Sequence, residues 1–235
     1  MQIEIWSDVM CPFCYIGKRK FENALAQVPE KDKIEVEWKS FQLDPSIVTE
    51  PGKTIHEYLS ERKGISTAKA KEMNDYVTNL ASQVGLEYKF DKAVVANSFD
   101  AHRFSHLAKK HGLQNEAEEI LFKAYFTEGK NTADVETLVQ LGASIGLDEA
   151  EIRQMLAGNE FANEVHKDIA LAQQFGIQGV PFYVFDRKYA VSGAQDSKVF
   201  LDILEKSFTE WQKDNPAPLM EVIDGQVCTP DDVCD

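Results

Sequence analysis

Apolar and polar positions alternate at the start of the chain. Ile3 and Ile5 are flanked by Gln2 and Glu4 up to Trp6, the period of a half-buried strand. From Tyr15 to Gln27 the apolar residues move to helical spacing. Ile16, Phe21, Ala24 and Leu25 form one stripe, Val28 follows, and Pro29 ends it. Lys33 to Phe41 alternates again through Ile34, Val36 and Trp38, a second strand. From about Ile55 to Gln174 the pattern is helical, with no convincing strand and with breaks near Gly64, Gly85, Gly112, Gly129 and Gly146. Within it Thr132 is expected as a helix N-cap, with Asp134 in the first turn and a stripe through Val135, Leu138 and Leu141; Asp148 is expected to cap another helix. Strand character returns at Pro181 to Phe185. Asp186-Arg187-Lys188 reads as a turn and Tyr189 to Ser192 as the partner strand. Asp196 to Trp211 closes the pattern as a helix, with Val199, Phe200, Ile203, Leu204 and Phe208 on one face.

The order is thus βαβ, a helical block of roughly 120 residues, then ββα. The outer parts together hold the elements of a thioredoxin fold. The fold class expected is α/β: a thioredoxin fold with a large all-helical insertion between its βαβ and ββα halves. The expected domains are a thioredoxin-like unit over 1–50 and 175–213, a helical insertion over 51–174, and a C-terminal tail over 214–235. That tail opens on a linker-like Asp214-Asn215-Pro216-Ala217-Pro218 and carries Cys228 and Cys234. No fixed period marks a repeat array.

Composition narrows the function. The 235 residues are 43% hydrophobic and 27% charged, ordinary for a soluble globular protein, and no run is long enough to span a bilayer. A net charge of -14 disfavours nucleic acid and anionic lipid, so neither nucleic acid nor membrane is expected as a partner. The N-terminus has no basic start and no apolar core of a signal peptide, so a cytoplasmic location is expected. In that compartment a close cysteine pair is more often catalytic or metal-binding than structural.

Cys11-Pro12-Phe13-Cys14 lies between the first strand and the first helix. Unpaired amides and the positive end of the helix dipole favour a thiolate at Cys11, the form that attacks disulfides. Pro12 suits the first helical turn, where its missing N–H costs nothing. Cys14, one turn further in and more covered, is expected to stay protonated longer and to act as the resolving thiol. Phe13 brings no charge beside the pair. Two other readings of the pair are a zinc site shared with Cys228 and Cys234, and a purely structural bridge.

With these residues in place, the chain resembles the DsbA family of thioredoxin-fold proteins, and within it the FrnE-like branch. The resemblance rests on Cys11 to Cys14 after a first strand, the helical insertion, and Gly179-Val180-Pro181-Phe182. Asn97 to Arg103, Phe126 to Lys130, and Tyr189 to Gln195 add to it. It covers about residues 1–212. It implies a thiol–disulfide oxidoreductase of the reductase or isomerase type, acting as monomer or homodimer on a disulfide-containing protein or a small thiol substrate. It implies no cofactor, with glutathione or another thiol as redox partner. It also implies a cis bond at Val180-Pro181 beside the cysteines, leaving the Val180 backbone to pair with an extended substrate. Related glutathione transferases and isomerases carry serine where Cys11 stands. A glutathione-dependent transferase is therefore the second reading, and a redox-sensing or zinc-binding holdase the third.

Cys228 and Cys234 flank a turn-forming Thr-Pro-Asp-Asp-Val and are expected as a second redox pair; ordinary tail thiols and metal ligands are the alternatives. His102 and His106 stand four apart on a helix, but no third ligand completes a metal motif, and no metal is expected there. Asn97 and Arg103 are candidates to face the active site from the insertion. Trp6, Trp38, Phe182 and Tyr183 are expected in the core, and part of the helical block's apolar residues are candidates to line a peptide groove.

Overall fold

The computed structural model describes residues 1–50 and 52–216; Cys228 and Cys234 lie outside the described residues. A mixed four-stranded sheet forms the centre, in the order β2-β1-β3-β4. Its strands are β1 (Gln2–Ser7), β2 (Glu35–Ser40), β3 (Phe182–Phe185) and β4 (Tyr189–Ser192). β2 runs parallel to β1, with Gln2 opposite Glu35 and Ser7 opposite Ser40. β3 runs antiparallel to β1, with Trp6 opposite Phe182 and Ile3 opposite Phe185, and β4 pairs antiparallel with β3. The two ends of the chain thus share one sheet.

The described helices are α1 (Pro12–Leu25), α2 (Ile55–Lys63), α3 (Thr67–Ser82), α4 (Phe99–Lys110), α5 (Gln114–Lys123), α6 (Val135–Ser144), α7 (Glu149–Ala157), α8 (Ala162–Gln174) and α9 (Ser197–Asp214). The fold is the expected α/β thioredoxin-like arrangement with its helical block between the two β parts. None of these helices is long and apolar enough to cross a membrane. Helix α6 is capped by Asp134, not by Thr132: its carboxylate accepts from the Thr137 amide at 2.9 Å, and the helix starts one residue later. A carboxylate two residues nearer the helical stripe wins the cap because it reaches the third amide directly. Asp148 caps α7 in the same way, accepting from Glu151 at 2.8 Å. Among the described residues of the insertion the β pairing is one isolated bridge, Thr54 with Val94.

Both sheet faces are covered. On one, Ile3, Ile5, Tyr183 and Phe185 meet Phe21 of α1 and Phe200 and Leu204 of α9 in one buried cluster. On the other, Trp6 and Val184 pack with Ala172 of α8 and Ile177, and the Trp6 indole donates to the Asp168 carbonyl at 3.0 Å. Side chains of the helical segment also reach β2. The Gln114 amide accepts from the Trp38 N–H at 3.1 Å and donates to its C=O at 3.0 Å, while Asp168 accepts from the Ser40 N–H at 3.0 Å. The first cluster runs on into Phe104, Phe122 and Tyr125 of the helical segment.

Candidate active site

Cys11 is the N-cap of α1, in an extended conformation, and Pro12 fills the first helical position. The turn that delivers it is closed by the Cys11 N–H donating to the Asp8 carbonyl at 2.9 Å. Cys14 follows one turn later, its N–H donating to the Cys11 carbonyl at 3.0 Å. Both are free thiols. The Cys11 thiol donates to the Val180 carbonyl at 3.4 Å, and the Val180-Pro181 peptide is cis. Cys11, Cys14, Pro12, Phe13, Val180 and Pro181 are therefore gathered from two segments about 170 residues apart, because β1 and β3 are sheet neighbours.

The two cysteines differ in surroundings. Cys11 is itself buried, 3% exposed, yet its position lines an open groove of about 350 Å³, together with Phe13, Val180 and apolar residues of α2 and α3, among them Ile55, Leu59, Met73 and Val77. Arg62 and Lys63 are the charged side chains on that lining. Phe13, 39% exposed, stands at the rim. Cys14 is fully buried, and burial pushes its thiol well up; Cys11 beside it adds to that shift, and the Ser7 hydroxyl and the Asp8 backbone oppose it.

Asp8 and Tyr88 escaped the sequence reading, which named His102 only in discounting a metal and Tyr183 only as core. Asp8 is fully buried three residues ahead of Cys11. Its carboxylate accepts from the Leu43 amide at 2.7 Å and lies 3.6 Å from His102. His102 donates from Nε2 to the Phe41 carbonyl at 2.9 Å; burial works to lower its pKa, and the Asp8 carboxylate, together with Glu118 and the Phe41 carbonyl, outweighs burial and raises it. Tyr88 reaches from the helical segment to donate to the Pro12 carbonyl at 2.7 Å. Tyr183 packs against Gly17, where a Cβ would meet its hydroxyl at 2.5 Å and the Pro181 ring at 3.1 Å. Asp8 stood in plain view next to the motif, but carboxylates are common and only the tertiary fold brings His102 to it.

Other candidates are placed elsewhere. Arg103 does not face the cysteines. It is buried at the end of α7, donating to the carbonyls of Met155, Gly158 (2.7 Å) and Glu160 (2.9 Å) and pairing with Asp100. A guanidinium with five donors suits the unpaired carbonyls of a helix end. Asn97 ties the start of α4 to the segment after β2, donating to the Pro45 and Ile47 carbonyls and accepting from the Gln42 amide and the Phe99 N–H. His106 points to Ser40 and Asp168 (3.0 Å), away from His102's partners. Among the described residues no group of three or more His, Cys, Asp or Glu side chains is arranged to hold a metal.

Comparison with known proteins extends these observations. The family model for the DSBA-like thioredoxin domain matches residues 2–205. A probable DsbA oxidoreductase from Streptomyces coelicolor is 36% identical, with a TM-score of 0.83 over 98% of this chain and 97% of that one. An uncharacterized protein of Bacillus subtilis (strain 168), YwbO, is 28% identical over 221 residues, 91% of this chain and 98% of that protein. The cytosolic disulfide reductase DsbM from Pseudomonas aeruginosa is 17% identical and shares the fold, with a TM-score of 0.64 over 89% of this chain and all of that one. It has also been solved with GSH, at a TM-score of 0.57. The matched span takes in the strands, the cysteine turn and the cis-proline segment that build the site, and by it this chain belongs to the DSBA-like thioredoxin domain family.

Proposed function

We propose that the chain is a thiol–disulfide oxidoreductase of the reductase or isomerase type, with Cys11 as nucleophile and Cys14 as resolving thiol. One observation carries this reading: Cys11 opens into the groove from the N-cap of α1, while Cys14 sits behind it, buried and with its thiol pushed up. The Cys11 thiolate attacks one sulfur of a substrate disulfide; a Cys11–substrate disulfide forms and the other substrate sulfur leaves as a thiol. Cys14 then attacks Cys11, the Cys11–Cys14 disulfide forms, and the second substrate sulfur leaves. The substrate gains two electrons and two protons, and the dithiol loses them. Isomerisation takes the same first step and ends when a substrate thiol, not Cys14, displaces Cys11.

The apolar groove, with Arg62 and Lys63 on its lining, suits a polypeptide disulfide. The Val180 carbonyl, now holding the Cys11 thiol, is placed to take a backbone N–H from an extended substrate strand. We assign the chain to the FrnE-like branch and to the cytoplasm, with glutathione or another thiol resetting the dithiol. Cys228 and Cys234 we read as a second redox pair.

The test is equilibration of the protein across ratios of reduced to oxidised glutathione, with thiol trapping and intact mass. The expected result is a Cys11–Cys14 disulfide with one defined midpoint, and loss of disulfide turnover in Cys11→Ser. A Cys11 that stays free or carries only a glutathione adduct overturns the dithiol mechanism and favours glutathione-dependent transfer.

A further inference from the structure

Among the described residues three buried side-chain polar atoms have no hydrogen-bond partner: Ser7 Oγ, Tyr125 Oη and Tyr183 Oη. Buried hydroxyls are nearly always paired, and an unpaired one is unfavourable. Two of the three sit on the sheet face that meets Cys14: the Ser7 hydroxyl favours the Cys14 thiolate, and the Cys14 charge bears on Tyr183. Ser7 ends β1 on the face that carries Ile3 and Ile5, and Cys14 belongs to the core cluster those residues form. The register of Trp6 opposite Phe182 puts Ser7 level with Pro181, one step beyond the pair. Tyr183 lies on the same face of β3, and its hydroxyl rests against Gly17, one turn after Cys14 on α1.

We propose that the Ser7 and Tyr183 hydroxyls are hydrogen-bond donors to the Cys14 sulfur during the resolving step, left unpaired in the resting dithiol so that they are ready for the thiolate that step requires. The inference rests on the dithiol reading above. In the mixed disulfide, Cys14 gives up its proton and its sulfur attacks Cys11 Sγ. The Cys11–Cys14 bond forms, the Cys11–substrate bond breaks, and the electron pair leaves with the substrate sulfur, which takes up a proton. The two hydroxyls lend hydrogen bonds and keep their own protons. They are the protein's substitute for water at a sulfur that water does not reach.

The other groups around Cys14 do not fill this role. Cys11, on its own helix, disfavours the thiolate; the Asp8 backbone at the end of β1 favours it, as Ser7 does. Tyr88, from the segment after α3, already donates to the Pro12 carbonyl. Glu22, on α1, bears on Tyr183 from the far side of Gly17 and is paired with Lys18 and Arg19. From α9 the buried residues are Phe200, Leu204, Phe208 and Ser207, and the Ser207 hydroxyl is already spent on the Ile203 and Leu204 carbonyls of its own helix.

Single-turnover reaction of the reduced protein with a peptide disulfide, quenched with acid and read by intact mass, separates attack by Cys11 from resolution by Cys14. Wild type, Ser7→Ala and Tyr183→Phe are compared across about pH 5–10. The expected result is an unchanged attack rate, resolution slowed about tenfold per variant near neutrality, and a resolution profile displaced to higher pH. Tyr183→Phe keeps the ring and removes only an unpaired oxygen, so the test does not hinge on Ser7→Ala alone. Mixed disulfide that forms and resolves at the wild-type rate with the wild-type pH profile overturns the inference, as does equal slowing of both phases. A wild type that never forms the mixed disulfide overturns the dithiol reading itself, a separate outcome.

Discussion

Gly17 shows how little room the site allows a single residue. It lies on the face of α1 that approaches Tyr183 and Pro181, and a methyl group there would sit 2.5 Å from the Tyr183 hydroxyl. The helix must move away or Tyr183 must shift. Gly17→Ala gains a little helix propensity, under about 1 kcal/mol, but overpacking of this kind costs about 1–3 kcal/mol. The expected outcome is a net loss of stability by chemical denaturation and a slower reaction of Cys11 with peptide disulfides, since Pro181 is carried with Tyr183. An unchanged midpoint and rate would show that the helix has slack. Helical periodicity attaches no special role to this glycine. The motif residues were legible because strand, cysteines and helix are contiguous; Gly17, Ser7 and Tyr183 act across the sheet, where no sequence spacing records them.

At the scale of elements, α1 is fixed to α5 by one carboxylate. Glu119 accepts from Tyr15 at 2.6 Å, from Lys18 at 3.0 Å and from Arg19. Burial works to raise its pKa, and Arg19, Lys18 and Tyr15 outweigh burial and hold it at about 2. A carboxylate depressed in the folded state stabilises it above the unfolded pKa, near 4.5, and that contribution is lost as the pH falls toward about 2. A depression of this size corresponds to roughly 3 kcal/mol before solvent screening reduces it. Wild type is expected to lose stability between about pH 4.5 and 2, and Glu119→Gln to start lower near neutrality and change less across that window, as thermal melts at several pH values would show. Boundaries of such elements were readable where a cap residue directly precedes an apolar stripe, as at Asp148. They were misplaced where two candidates compete, as at Thr132 and Asp134. The pairing of α1 with α5 was beyond reach, because Lys18 and Glu119 look like ordinary surface charges in a helical pattern until packing buries Lys18 almost completely.

At the scale of the whole molecule, the helical segment and the sheet share their interior. Tyr15 of α1 stacks on Phe122 at 5.1 Å between ring centroids, Trp38 of β2 meets the same ring edge-on, and Tyr88 stacks on Phe126 at 4.6 Å beneath the cysteine turn. Sequence order distinguished a β part and a helical part, yet it is silent on which aromatic residues face each other across them. Calorimetry is expected to show one unfolding transition for both parts, with equal calorimetric and van't Hoff enthalpies; two resolved transitions would mean that this shared interior does not couple them. The side chains that bind Trp38 and Ser40 have a further consequence. β2 is an outer strand of the sheet, and its outward N–H and C=O of Trp38 are occupied by Gln114 and its Ser40 N–H by Asp168. A stray extended chain meets a ladder already interrupted at Trp38 and Ser40, so pairing of further chains along that margin is disfavoured.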